Sequence, residues 1–150
     1  AVERPAPVIV VAPEPAPVAA PPATRRVSFS TEALFSFDMA AVSPQGHSAL
    51  DRFAEQIEGT RYDTVSVEGH TDRLGSTAYN LTLSQQRAEA VKRYRAANGR
   101  VEGMKITATG KGESTPVTRL ADCPGERANS ALIACLQPDR RVEVELSGQR

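Results

Sequence analysis

The chain has 150 residues, with 18 Lys plus Arg against 18 Asp plus Glu, a net charge of zero. That length suits one domain, and the absence of a basic excess argues against nucleic acid as the main partner. No apolar run approaches the 18 or so residues a spanning helix needs; Val8-Ile9-Val10-Val11 is too short and sits among prolines.

Residues 1–25 form a separate segment. Pro5, Pro7, Pro13, Pro15, Pro17, Pro21 and Pro22 fall here, spaced by Ala and Val. Such a run resists helix and inner strand and favours extended polyproline II, reaching on the order of 70 Å at about 3.1 Å per residue. It reads as a tether between an anchor and a folded domain at 26–150, with a proline-motif ligand or a disordered tail as the plainer readings. The chain does not start with Met and carries no signal-peptide pattern. A processed protein or fragment is expected, with any anchor lying before Ala1.

Val27-Ser28-Phe29-Ser30 alternates and predicts a first strand. Glu32 to Phe37 leads into a loop with Asp38 near its tip. Ser43-Pro44 starts a helix, with Ser as N-cap and Pro at the first position. Leu50, Phe53 and Ile57 give that helix an apolar stripe, and Gly59 ends it. Tyr62 to Glu68 predicts the second strand. Then comes Gly69-His70-Thr71-Asp72-Arg73-Leu74-Gly75, a tight turn. Leu83 to Ala97 predicts the main helix, with Ala88, Val91 and Tyr94 on one side and Asn98-Gly99 as its stop. Lys105 to Thr109 predicts the third strand, with Gly110 and Gly112 opening a turn. A long loop over 118–138 holds a helical piece around Ala128–Leu136, and Arg141 to Leu146 alternates as the fourth strand. The order is β-α-β-α-β-(loop/helix)-β, an α+β fold with helices packed on one face of the sheet and parallel pairing where helices cross over.

Two cysteines, Cys123 and Cys135, occur in one segment. In an oxidising compartment they close a short loop, worth about 3 kcal/mol on a chain-entropy argument. In a reducing one they are free thiols or half a metal site. Neither His47 nor His70 is near them in sequence, so no metal is expected. His70, Asp72 and Ser84 do not make a catalytic triad, because no nucleophile elbow or Cys-His pattern accompanies them. His70 reads as a structural residue at a strand end and His47 as a helix-surface residue.

The stretch Gly69-His70-Thr71-Asp72, Gly75, Tyr79-Asn80, Leu83-Ser84, Arg87-Ala88 resembles the signature of the OmpA C-terminal family, which includes Pal lipoproteins and the periplasmic part of flagellar stator proteins. Phe35-Ser36-Phe37-Asp38 resembles its entry motif. Lys111 to Val117 and Pro138-Asp139-Arg140-Arg141-Val142-Glu143-Val144 resemble its last two segments. The resemblance covers roughly residues 27–147. It implies an OmpA-like sandwich on a mixed four-stranded sheet, and non-covalent peptidoglycan binding that ties the outer membrane to the cell wall from the periplasm. The cysteine spacing resembles that of enterobacterial-type members, which implies a Cys123–Cys135 disulfide.

Site residues follow from the same resemblance. It implies that Asp72 takes the ammonium, and Arg87 the carboxylate, of the diaminopimelate in the stem peptide; a charged pair of this kind suits a zwitterion. Asp38 falls where the family's loop contacts that ligand. Thr71, Asn80 and Leu83 are neighbours, with Asn80 either touching ligand or bracing the loop, and Leu83 either lining the pocket or joining the core. Of Arg140 and Arg141 one should face the pocket, and Arg140 is the choice. No cofactor is expected, and membrane contact is expected only through an anchor outside the chain. The alternatives are an oligomerising or docking module, in which a second copy is a partner, and a wall amidase, for which the residues supply no nucleophile or metal triad. Arg95 and Arg100 stand where the family has aliphatic residues; Arg95 falls beside the buried stripe and should snorkel or pair with Glu58 or Glu102.

Overall fold

The computed structural model describes residues 24–37, 39–57, 62–97 and 105–148. The proline-rich segment before Thr24, the helix stops expected at Gly59 and Asn98-Gly99, and Asp38 and Arg100 lie outside the described residues. The elements run β1 (Arg25–Ser30), α1 (Thr31–Leu34), α2 (Pro44–Gln56), β2 (Thr64–His70), α3 (Thr77–Ala97), β3 (Lys105–Gly112), α4 (Ser130–Cys135), a 3-10 turn (Gln137–Asp139) and β4 (Arg141–Ser147).

The four strands form one sheet in the order β1-β4-β2-β3. β4 runs antiparallel to β1 and β2, while β2 and β3, joined by α3, are parallel. This is the expected mixed sheet. Alternation decides its two faces. Val65 and Val67 of β2 and Val142, Val144 and Leu146 of β4 are buried, in one cluster with Leu50 and Phe53 of α2 and Ala88 and Val91 of α3. Phe29 meets Phe53 edge to face, ring centroids 5.6 Å apart. The intervening residues, Arg26, Ser66, Glu68, Glu143 and Glu145, lie on the other face, so the helices cover one side only.

α2 starts as its residues dictate: Ser43 accepts a bond from the Gly46 amide at 3.0 Å, with Pro44 in the first turn. α3 is longer than its apolar stripe predicts, beginning at Thr77 rather than Leu83. Ser76 is the reason; its hydroxyl accepts from the Tyr79 amide at 3.1 Å, a capping signal that precedes the first periodic apolar position. The segment from Glu32, read as loop, opens with the single turn of α1, capped by Ser30 through the Ala33 amide. β2 is shifted two residues toward His70.

β3 runs on through Gly110 and Gly112, which the sequence reading assigned to a turn. Here glycine serves close packing instead. A Cβ on Gly69 would lie 2.2 Å from the Ser84 carbonyl oxygen, and one on Gly110 would lie 2.4 Å from the Gln85 amide nitrogen. The two glycines let α3 lie directly on β2 and β3. Gln85 then pairs with the outer edge of β3, donating to the Ala108 carbonyl at 3.2 Å and accepting from the Gly110 amide at 2.7 Å. An edge strand's unpaired groups are thus partly covered. Arg95 is buried on α3, and the partners expected for it, Glu58 and Glu102, lie outside the described residues.

The Cys123–Cys135 disulfide forms, with Cα atoms 5.7 Å apart. It belongs to a second apolar cluster with Leu132, Leu136 and Leu74. Leu74 comes from the turn after β2, so the disulfide loop packs against the turn that carries Asp72.

Candidate functional site

The turn after β2 is built from the strand outward. The Thr71 amide donates to the Gly112 carbonyl at 2.9 Å, extending the β2–β3 pairing by one residue, and the Thr71 hydroxyl donates to the Asp72 carbonyl at 2.9 Å. The Asp72 carboxylate accepts from the Leu74 amide at 3.0 Å, an Asx-type closure of the turn. Asn80, buried in the first turn of α3, donates its side-chain amide to the carbonyls of Leu74 (2.9 Å) and Asp72 (3.3 Å). These two bonds brace the turn. Arg73 donates to the carbonyls of Cys123 (2.6 Å) and Gly125 (2.7 Å), which clips the turn to the disulfide loop.

The second oxygen of Asp72 meets Arg140, whose Nη1 is 2.9 Å away. Arg140 sits at the threshold of β4 rather than within it. Its Nε also lies 2.6 Å from Glu32 and its Nη1 donates to the Ile133 carbonyl at 2.9 Å. One guanidinium therefore links α1, the β2 turn and α4. Burial works against the charge of Glu32, but the bond and charge of Arg140, a backbone hydrogen bond and Gln137 together outweigh it and hold the carboxyl below its ordinary range. Arg141 points elsewhere, to Glu143 and to the carbonyls of Asp139 and Thr115. The two arginines diverge, and Arg140 is the one on the Asp72 side.

Arg87 is buried on α3. Its Nε donates to the Met39 carbonyl at 3.0 Å, and its guanidinium lies 5.4 Å from the centre of the Phe35 ring. These contacts hold the side chain against Phe35 and Met39, just after α1. Leu83 is half-buried on α3. The structure thus joins Asp72, Thr71, Asn80 and Arg140 in one bonded network and fixes Arg87 on the adjacent helix; Asp38 lies outside the described residues.

Three positions in this framework carry no assignment from sequence. Glu32 and Arg73 bear no local pattern that marks them. Asp139 does have a signal, following Pro138 at a helix-like turn: its buried carboxylate accepts from the amides of Val117 and Thr118, each at 2.8 Å, and from the Thr118 hydroxyl at 2.6 Å. It ties the long loop to the start of β4.

His70 is buried at the end of β2, with Nδ1 3.0 Å from the Thr115 hydroxyl. Burial, aided by Arg141, holds its imidazole below the usual range against the pull of Glu143 and Glu68. His47 stacks on Tyr94 at 4.3 Å.

Comparisons with known proteins agree with this architecture. The family model described as "OmpA family" matches residues 34–130. The Outer membrane protein A of Citrobacter freundii is 44% identical over 142 residues, covering 93% of this chain and 58% of the relative. The chain spans between 39% and 59% of the length of the first curated relatives it matches. Among solved structures, the cell wall anchor of the T6SS from Pseudomonas aeruginosa superposes with a TM-score of 0.62 at 24% identity, covering 85% of this chain and 88% of that one. The peptidoglycan-associated lipoprotein from Burkholderia pseudomallei does so with a TM-score of 0.51 at 24% identity, covering 82% and 89%. These two likenesses are of fold. The family match and the identity to the Citrobacter protein go further: the chain belongs to the OmpA family.

Proposed function

We propose that this domain binds peptidoglycan non-covalently from the periplasm, gripping the diaminopimelate of a stem peptide and so tethering the outer membrane to the wall. The observation that carries the reading is the fixing of a carboxylate and a guanidinium on one strand-turn-helix unit. Asp72 is held by the Leu74 amide, Asn80 and Arg140, and Arg87 by the Met39 carbonyl and the Phe35 ring. Sites fixed before binding lose less entropy when they bind. Asp72 takes the ligand ammonium, sharing its oxygen with Arg140. Arg87 meets the ligand carboxylate through its terminal nitrogens. Family membership and the wall-associated names of the fold neighbours support the assignment. The disulfide and the outer-membrane names of the relatives support the periplasm. The proline-rich segment before Thr24 serves as the tether, since Arg25 already belongs to β1.

Each charge-assisted contact contributes about 1.5–3 kcal/mol, and association costs several, so one site binds weakly, on the order of micromolar to millimolar. Firm attachment comes from many tethered copies on one polymer. Cosedimentation with purified diaminopimelate-type peptidoglycan tests the reading. Wild type pellets, whereas Asp72→Ala and Arg87→Ala stay in solution while folded. Equal pelleting of all three places binding elsewhere.

A further inference from the structure

The sheet face without helices holds a cluster unconnected with the ligand reading. β2 and β4 are neighbours there, and Glu68 pairs directly with Glu143. Glu68 and His70, two apart on one strand, share a face. One ligand atom from each of Glu68, His70 and Glu143 lies within 4.8 Å of the others. His70 Nε2 is 3.4 Å from Glu68 Oε2 and 3.6 Å from Glu143 Oε2. The ring is only 3% exposed, yet among the described residues Nε2 has no hydrogen-bond partner. A buried polar atom left so destabilises the fold unless something else satisfies it.

We propose that Glu68, His70 and Glu143 form a site for a divalent transition-metal ion of the zinc class, with Nε2 and one oxygen of each carboxylate as ligands and solvent completing the sphere. One imidazole and two carboxylates are a nitrogen-oxygen set that suits zinc, cobalt or nickel better than magnesium or calcium. The remaining ring nitrogen is already placed. In the tautomer with its proton on Nδ1, that N–H donates to the Thr115 hydroxyl and the Nε2 lone pair faces the carboxylates, the arrangement by which an outer hydrogen bond orients a metal-binding histidine.

Two cations border the cluster. Arg141 lies 3.0 Å from Glu143 Oε1, the oxygen the metal does not need. Arg26 is the competitor, with Nη1 3.6 Å from Glu143 Oε2. It is 54% exposed and holds Glu145 at 2.7 Å, so it can leave Glu143 and keep an acidic partner. The retained Arg141 charge weakens the attraction for a cation.

Calorimetric titration of the untagged protein with zinc chloride at pH 7 tests this. One equivalent binds. Glu68→Gln and His70→Gln each weaken binding at least about tenfold, Arg26→Ala tightens it several-fold, and His47→Ala leaves it unchanged. Glu68 is partly exposed, so its variant keeps the fold even if His70→Gln does not. Absence of binding at millimolar zinc, or binding indifferent to Glu68→Gln, overturns the proposal.

Discussion

Gly69→Ala lowers the stability of this domain by about 3 kcal/mol or more, and Gly110→Ala by a similar amount, at the upper end of what inserted core atoms cost. The added methyl at Gly69 meets the Ser84 carbonyl oxygen at 2.2 Å, and that at Gly110 meets the Gln85 amide at 2.4 Å and its Cα at 2.7 Å. All of these are backbone atoms of consecutive residues on α3, so no rotamer change relieves the clash. The helix must lift from the sheet. Lifting it breaks the bond from the Gly112 amide to the Ser84 hydroxyl (2.9 Å) and both bonds of Gln85 to β3. It also moves Asn80 and Arg87, which ride on the same helix, so wall binding falls together with stability. Urea unfolding measures the first effect; Ser66→Ala on the open face is a control expected to stay within about 0.5 kcal/mol of wild type.

Arg140→Ala is the second large effect, at about 2–3 kcal/mol of stability with a marked loss of wall binding. It removes the partner of Asp72 and of Glu32 and a donor to the Ile133 carbonyl, so three elements lose their common link. Arg140→Lys recovers little, because a single ammonium cannot reach three acceptors from one position. The loss depends on pH with a definite sign. The folded-state pKa of Glu32 lies below its ordinary value of about 4.5, so its pairing stabilises the fold above that pH and stops doing so as pH falls through the depressed pKa. Glu32 is half exposed, which keeps this contribution small. The stability difference between wild type and Arg140→Ala therefore narrows on acidification below about pH 4.5.

The fold was legible wherever apolar periodicity coincided with the ends of elements. The Ser43-Pro44 start of α2 and the alternation of Arg141–Leu146 are such cases. Boundaries went astray where a polar residue or a glycine decided them. Ser76 starts α3 before any apolar position repeats, and Gly110 and Gly112 belong to a strand because α3 passes over it. At the site, residue types alone gave only a loop acid and a helix arginine, and the family resemblance supplied their roles. Alternation of strand neighbours said that only one of Arg140 and Arg141 faces the pocket, and Arg140 was the choice. Its bond to Asp72 spans 68 residues, and no local pattern encodes such a contact. Glu32 and Arg73 were missed for the same reason, since each acts through a partner far along the chain.

Wall binding rests on recognition of a diamino acid that ends in both an ammonium and a carboxylate. Titrating isotope-labelled protein with a stem peptide containing diaminopimelate, and separately with its lysine counterpart, tests it most directly. The diaminopimelate peptide is expected to shift the backbone signals of Thr71, Asp72 and Leu74 and the Arg87 Nε signal, and the lysine peptide, lacking the carboxylate for Arg87, to bind at least about tenfold more weakly. Equal affinity for the two peptides, or shifts confined to residues away from the Asp72 turn and α3, contradicts it.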